Sequence, residues 1–382
     1  MKICVLVPVL DVFKGGNHLP LLAALPDVSF TIVTQRVKPQ NPPLPPNVSV
    51  VRVEGRTGRF YYGFSDWFFG RAVLHRFPVR DPFWQQFDVL HLNQAMSPQL
   101  LALKETRLPL LTTIHHPVTV DCSIAIEESG FFSSLLWRLR YVLLIRWQRR
   151  ICNGCARVLA VSQTVKDRLV ADYGCDPAKI TIVPNGVNVA DHSSPTETKS
   201  SFDVIALGSF LHPRKGFPYL LEAYKRLAAA GIRIADVGRR SAEQEQALSG
   251  VPGVQVFGTV DSATLTRLQR ESACLISTSL YEGFGLSLIE ALASGHPAFA
   301  FGGGAVTEVL SPIDPHLVVP LRDTEELTKR VREFLSLAPL ERLERGKQWR
   351  DAVLQRYPIS ASAERLTQLY RELVPRASGI FF

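Results

Sequence analysis

The sequence predicts an α/β protein built as two doubly wound parallel-sheet domains facing across a cleft. Three observations carry that expectation. The chain has 382 residues, more than the ~250–300 that one hydrophobic core usually supports. Short β-branched runs alternate with helical stretches along most of it, which is the pattern of βαβ units. The alternation stops at a polar stretch of linker composition, residues 191–201 (DHSSPTETKSS), and then begins again.

In the first half the expected strands are residues 3–8, 29–34, 48–53, 88–92, 109–114, 157–161 and 179–183. Helical stretches separate most of them, as parallel neighbours require. The helix expected after Gly16 is short, because Pro26 arrives early. In the second half the expected strands are residues 203–207, 232–237, 254–257, 273–277 and 297–301. The domains are therefore read as 1–190 and 200–357. In the tail, 358–382, Ala363, Leu366, Leu369 and Leu373 recur at helical spacing, and this helix is expected to pack back on the first domain. Ligands of such folds bind at the carboxyl ends of the strands.

Composition excludes several classes. A hydrophobic share of 46% with 20% charged residues rules out a largely disordered chain. The most apolar stretch, residues 135–147, is broken by Arg138, Arg140 and Arg146, so no transmembrane span is expected. The opening MKICVLVPVL meets Asp11 too soon for a secretory leader and reads as a buried strand, which points to the cytoplasm. The six cysteines suit that compartment, with Cys4 and Cys274 in expected core strands. Cys152 and Cys155 form a lone CxxC without a second pair and read as a helix-end turn; Asn47-Val-Ser49 matches a glycosylation acceptor that would not meet its machinery. The net charge of +8 favours anionic partners: nucleoside diphosphates, anionic lipid headgroups or nucleic acid. No nucleic-acid motif accompanies it, so nucleic acid is not an expected partner. No GxGxxG follows a strand and no GxxxxGK[ST] occurs, which turns the reading away from dehydrogenases and P-loop NTPases.

The segment that carries chemistry runs from Ser277 to Gly295 (STSLYEGFGLSLIEALASG). A buried strand passes through a Gly-containing turn into a helix beginning near Leu286. Gly283 and Gly285 let backbone approach a ligand, and the open amides and positive dipole end of the helix favour oxygen-rich or anionic groups. Glu290 falls one turn into that helix among Leu288, Ile289, Ala291, Leu292 and Ala293, surroundings that predict burial and a need for donors. The two hydroxyls of a ribose would supply them.

Glu282 stands eight positions before Glu290, and EGFGLSLIE resembles the donor motif of the family 4 retaining glycosyltransferases, whose fold is called GT-B. The resemblance extends over most of the chain, through Gly15-Gly16, Thr113-Ile114-His115, Ala160-Val161-Ser162, residues 182–187 (IVPNGV), Leu207-Gly208, Lys215-Gly216 and residues 291–295 (ALASG). It implies that Glu290 holds the ribose and that the backbone of Gly283, Phe284, Gly285 and Leu286 meets the donor sugar and pyrophosphate. It implies that Glu282 binds a sugar hydroxyl or braces the turn, and that Lys215 meets the departing diphosphate. Gly15 and Gly16 would let the first loop approach the donor phosphates, and His115, with His116 beside it, would lie near the reacting centre.

Two departures from the family pattern stand out. Ser209 and Phe210 follow Gly208 where members often carry an arginine, which leaves Arg214 as the neighbouring cation, and residues 236–240 (DVGRR) replace a Gly-Asp-Gly turn. The implied activity is transfer of a sugar from a nucleotide-sugar donor to a glycan or lipid-linked acceptor with retention. No cofactor or metal is called for, since Lys215 and helix N-termini supply positive charge and no Asp-x-Asp cluster is evident. The alternatives are a GT-B nucleotide-sugar epimerase and a non-catalytic sugar-nucleotide or glycan-binding relative.

Residues 135–150 project Arg138, Arg146, Arg149 and Arg150 to one side of a helix, with Trp137, Tyr141, Leu144, Ile145 and Trp147 mostly opposite. Residues 56–71 (RTGRFYYGFSDWFFGR) add a second concentration of aromatics and arginine. Basic residues beside amphipathic aromatics suit either a solvated domain helix or docking on an anionic membrane surface, which would make the protein peripheral on the inner membrane face.

Overall fold

The structure, a computed structural model, describes residues 1–10, 19–37, 43–55, 62–94, 96–188, 190, 192 and 200–374, with backbone alone for 62–64. Gly15, Gly16, most of the polar stretch 191–201, and residues 56–61 of the aromatic segment lie outside the described residues. Contacts divide the chain into two units. One comprises Met1–Thr119, Arg138–Gly186 and Ile359–Phe382; the other comprises Val120–Trp137 and Val187–Pro358.

The first unit holds strands β1 (Lys2–Leu6), β2 (Val9–Leu10), β3 (Ser29–Thr34), β4 (Arg36–Val37), β5 (Val48–Arg52), β6 (Val89–Asn93), β7 (Leu110–Ile114), β8 (Arg157–Ala160) and β9 (Ile180–Ile182). Seven of them form one sheet in the order β5-β3-β1-β6-β7-β8-β9, and β2 pairs separately with β4. Every residue of β6 and β7 is buried, as expected of parallel strands covered on both faces. The helices are α1 (Leu19–Ala23), α2 (Tyr62–Arg76), α3 (Val118–Glu127), α4 (Phe131–Gly154) and α5 (Gln163–Tyr173); α3 begins and α4 ends here. α1 has five residues, the short helix that Pro26 predicts. α5 is delimited locally: Ser162 Oγ accepts from Val165 N, and Gly174 ends it at φ +64°. Phe69, Trp84, Leu90, Leu92 and Leu100 meet in one apolar cluster.

The second unit has a six-stranded sheet of β10 (Phe202–Leu207), β11 (Ile234–Val237), β12 (Val254–Gly258), β13 (Ser272–Ser277), β14 (Ala298–Phe301) and β15 (Val318–Val319). Their order is β12-β11-β10-β13-β14-β15, and all pairings are parallel. Helices α6 (Phe217–Ala228), α7 (Ala242–Ser249), α8 (Ser262–Arg270), α9 (Leu286–Ala293), α10 (Val306–Leu310), α11 (Thr324–Ser336) and α12 (Pro339–Arg356) connect them. In α6 the buried residues Leu220, Ala223, Tyr224 and Leu227 recur at helical spacing. The strand order reverses between β10 and β13, and the carboxyl edge at such a reversal is where doubly wound sheets bind their ligands. After α12 the chain returns to the first unit as α13 (Ile359–Leu373), where the Tyr370 hydroxyl lies 2.7 Å from His91 Nδ1.

Residues 120–137, inside the span 1–190 read from the sequence as one domain, group with the second unit. Charge explains this: Asp121 pairs with Arg214 Nε at 2.8 Å, and Arg322 Nη2 meets Glu127 at 2.8 Å and Glu128 at 2.9 Å.

Candidate active site

The loop leaving β10 ends in a 3-10 turn, Pro213–Lys215, in which His212 Nδ1 accepts from Arg214 N at 3.1 Å. Gly216 follows at φ +67°, and a Cβ there would stand 2.2 Å from Thr278 O. Only glycine allows that approach. The turn is fastened to the segment leaving β13: Thr278 Oγ1 donates to Lys215 O and to Gly216 O, each at 3.2 Å, and Leu280 N donates to Arg214 O at 2.8 Å. On the other side Gly304, at φ +67°, lets the loop after β14 close on Glu282, whose carbonyl accepts from Ala305 N at 2.8 Å. A Cβ at Gly304 would stand 2.3 Å from Glu282 O.

These fastenings converge three charged side chains. Lys215 Nζ lies 2.5 Å from Glu282 Oε1, and Arg214 Nη1 lies 3.7 Å from Glu282 Oε2. Arg214 also meets Asp121 Oδ1 through Nε at 2.8 Å and donates from Nη1 to Tyr281 O at 2.6 Å. All four charged side chains are largely shielded, with 11–22% of their surface exposed. Burial alone would raise the Glu282 carboxyl, but Lys215 and Arg214 outweigh it and hold the group at about 2. Two cations thus share one firmly ionised carboxylate, and Asp121 completes the balance of charge in the cluster.

Gly283, Phe284 and Gly285 lead from Glu282 into α9. Phe284 is buried edge-on against Tyr357, with ring centroids 5.4 Å apart. Gly285, at φ +90°, is the residue before the helix, and no side chain caps the first turn. The amides that begin with Leu286 therefore present the positive end of α9. The sequence reading buried Glu290, and the structure corrects it: Glu290 is half-buried, together with Leu286, Ser287 and Ser294. Those residues form the outward stripe of α9 at i−4, i−3 and i+4, whereas Leu288, Ile289, Ala291, Leu292 and Ala293 take the buried face. Glu290 thus lies on the less buried stripe of the helix.

Residues 22–191 match the glycosyltransferase family 4 domain and residues 201–336 match the glycosyl transferases group 1 domain. The chain belongs to glycosyltransferase family 4. It is 28% identical over 317 residues to an MMP α-(1→4)-mannosyltransferase of Mycolicibacterium hassiacum, covering 77% of this chain and 72% of that one. It is 26% identical over 305 residues to a phosphatidyl-myo-inositol mannosyltransferase of Mycobacterium leprae, with 77% and 76% covered. Among solved structures, sucrose-phosphate synthase of Thermosynechococcus elongatus superposes with a TM-score of 0.75 at 19% identity over 97% of this chain and 98% of that one. Anabaena HepE in complex with UDP-glucose superposes at 0.71 and 14% identity over 97% and 100%. The fold is GT-B, and the protein is a glycosyltransferase.

In this glycosyltransferase the strand end at Gly208 is organised by a residue the motif did not supply. Arg240, fully buried, meets Asp236 at 2.5 Å, donates to Gly208 O at 2.7 Å and lies 4.3 Å from the centre of the Phe210 ring. Tyr224 donates to the same Asp236 oxygen at 2.8 Å. The DVGRR segment that replaces the glycine turn therefore contributes a buried ion pair that holds the loop after β10. Arg214, Lys215, Glu282, Gly283, Phe284, Gly285, Leu286 and Glu290 all lie in the second unit, as does Gly208. His115 lies in the first, at the carboxyl end of β7, where its Nε2 donates to Asn93 Oδ1 at 3.0 Å and its amide to Gln94 Oε1 at 3.1 Å. Gln94 takes φ +48°, an uncommon conformation for a residue with a side chain. His116 beside it lends its carbonyl to Gln148. Asp121 was invisible to motif reading, because its partner is 93 positions away and nothing local marks it. Among the described residues no group of three or more His, Cys, Asp or Glu side chains is placed to hold a metal ion, and no helix is long and apolar enough to cross a membrane.

Proposed function

We propose that the second unit binds a nucleotide-sugar and that the enzyme transfers the sugar with retention to a glycan or lipid-linked acceptor. The observation that carries this reading is the convergence of Arg214 and Lys215 on Glu282 at the strand-order reversal, beside the uncapped start of α9. The diphosphate takes up Lys215, Arg214 and the first amides of α9; the half-buried Glu290 accepts from the ribose hydroxyls. In the reaction the C1–O bond to the diphosphate breaks, with its electron pair passing to the leaving oxygen. The acceptor hydroxyl bonds to C1 on the same face and gives its proton to the departing phosphate. Lys215 and Arg214 stabilise the charge that grows on that phosphate, which is why no metal is required. Arg214 supplies the second cation that the sequence lacks after Gly208. The name of one relative, a phosphatidyl-myo-inositol mannosyltransferase, supports a lipid-linked acceptor. Six buried free thiols suit a reducing cytoplasm, and an anionic membrane surface is the expected partner there.

Thermal-shift screening of UDP-, GDP- and ADP-sugars tests the donor site, since a bound donor stabilises in proportion to occupancy. The anomeric configuration of the product, read by NMR with the hit donor and a lipid extract, tests the transfer. Retention at C1 in a glycosylated lipid or glycan is expected. Donor turnover to an epimer without any acceptor would overturn the reading, and so would binding without turnover.

A further inference from the structure

The sequence projection put arginines on one side of α4 and apolar residues on the other. Of the residues projected opposite the arginines, Tyr141 and Leu144 are buried while Trp137, Ile145 and Trp147 are half-buried, and Gln148 and Ile151 complete the inward face. The outward face differs, because it carries large apolar side chains as well as arginine. Phe131 and Phe132 are each 82% exposed, and Leu135, Leu136, Leu139 and Leu143 are exposed beside them. Elsewhere among the described residues the large exposed apolar side chains, such as Val256 and Leu340, are scattered singly.

At 100° per residue these six side chains fall within a sector of about 140°, and the stripe runs ~18 Å along the helix. Arg146, Arg149 and Arg150, all exposed, fall in the same sector one to two turns further on. The face is thus segregated along its length, apolar in the first half and cationic in the second. From Phe131 to Gly154 the helix has five arginines and no acidic residue. The nearest upstream carboxylates, Glu127 and Glu128, are already neutralised by Arg322.

We propose that this outward face of α4 docks on a leaflet containing anionic phospholipid. Phe131, Phe132, Leu135, Leu136 and Leu139 enter the boundary between headgroups and acyl chains, while Arg146, Arg149 and Arg150 rest on lipid phosphates. A fully soluble helix has no reason to expose two phenylalanines and four leucines on one stripe, and a protein partner would need a matching acidic rim. A leaflet supplies both an apolar layer and, at its headgroups, an anionic plane. The surface rests on the reading of a lipid-linked acceptor, and it gives that reading a mechanism: docking brings the enzyme to a substrate confined to two dimensions.

The test is flotation of the full chain with vesicles of phosphatidylglycerol and phosphatidylcholine, and with phosphatidylcholine alone, at low and high salt. Two variants accompany the wild type: a triple Arg146→Gln, Arg149→Gln, Arg150→Gln, and a triple Phe131→Ser, Phe132→Ser, Leu136→Ser. Each basic residue near an anionic surface contributes about fivefold to partitioning, so the arginine variant should bind anionic vesicles roughly 100-fold more weakly. The apolar variant should lose at least tenfold and should keep its unfolding temperature, since the changed side chains are exposed. Wild-type binding should need the anionic lipid and weaken with salt. Wild-type flotation that both variants retain in full would overturn the α4 assignment while leaving the lipid reading intact. Absence of wild-type flotation, with transfer to a water-soluble glycan, would overturn both. Concentration-dependent dimerisation abolished by the apolar variant, without vesicle binding, would assign the face to a second copy and overturn the proposal.

Discussion

Replacing Glu282 with Gln keeps the shape of the side chain and removes its charge. That carboxylate neutralises Lys215 at 2.5 Å and Arg214 at 3.7 Å, and these cations are only 22% and 14% exposed. Burial acts to raise the Glu282 carboxyl, yet the two cations bring it from 4.5 to about 2. A displacement of that size corresponds to roughly 3 kcal/mol of favourable coupling at neutral pH. Because the folded value lies below the unfolded one, this stability is fully present above about pH 4.5 and is lost as pH falls toward 2. Glu282→Gln should therefore lower stability at pH 7 by about 2–3 kcal/mol, or ~4–10 °C in Tm for a domain of this size, with the gap narrowing below pH 4.5. Anion binding should move the other way. Without its internal counterion the Arg214–Lys215 pair attracts a diphosphate more strongly, so the affinity for UDP, GDP or ADP should rise several-fold even though sugar transfer is lost. Thermal unfolding at pH 7 and pH 4, with and without each diphosphate, reads both effects. An unchanged Tm at pH 7, or a diphosphate affinity weakened as much as by Lys215→Ala, would refute the reasoning.

Three further outcomes are expected. Glu290→Ala should fold normally and lose roughly 2–4 kcal/mol of nucleotide affinity by calorimetry, because the ribose hydroxyls are left without an acceptor. Lys215→Ala should lower kcat more than it raises KM, whereas Arg214→Ala should also reduce Tm, because it releases Asp121 and with it the hold on residues 120–137. Asp66→Asn should stabilise the protein at pH 8 and leave it unchanged below pH 4. Burial raises the Asp66 carboxyl from 3.8 to about 7 despite the Met96 amide at 2.9 Å, so ionisation costs stability progressively from pH 3.8 to 7, up to ~4 kcal/mol, by denaturant titration.

The legible parts of this enzyme were those written in local pattern. Alternating β-branched runs mark strands because a sheet covered on both faces buries nearly every side chain, and the expected strands lie within a residue or two of those in the structure. EGFGLSLIE is legible because a turn that enters α9 at φ +90° admits few residues besides glycine. Glu290 shows the limit of that approach: a string of apolar neighbours predicts burial, but only the angular position on α9 shows which stripe is less buried.

What the sequence by itself determined, then, was the two sheets, the βα alternation and the Glu282-to-Glu290 element, all set by contacts among residues a few positions apart. The tertiary structure alone decided that Asp121, Arg214, Lys215 and Glu282 form one charge cluster, that Arg240 holds the Gly208 loop through Asp236, and that the arginines and leucines of α4 share an outward face. Each of these depends on which surfaces of distant segments meet. Side-chain periodicity fixes the faces an element has, and only packing against the rest of the chain determines which face remains for solvent, ligand or lipid.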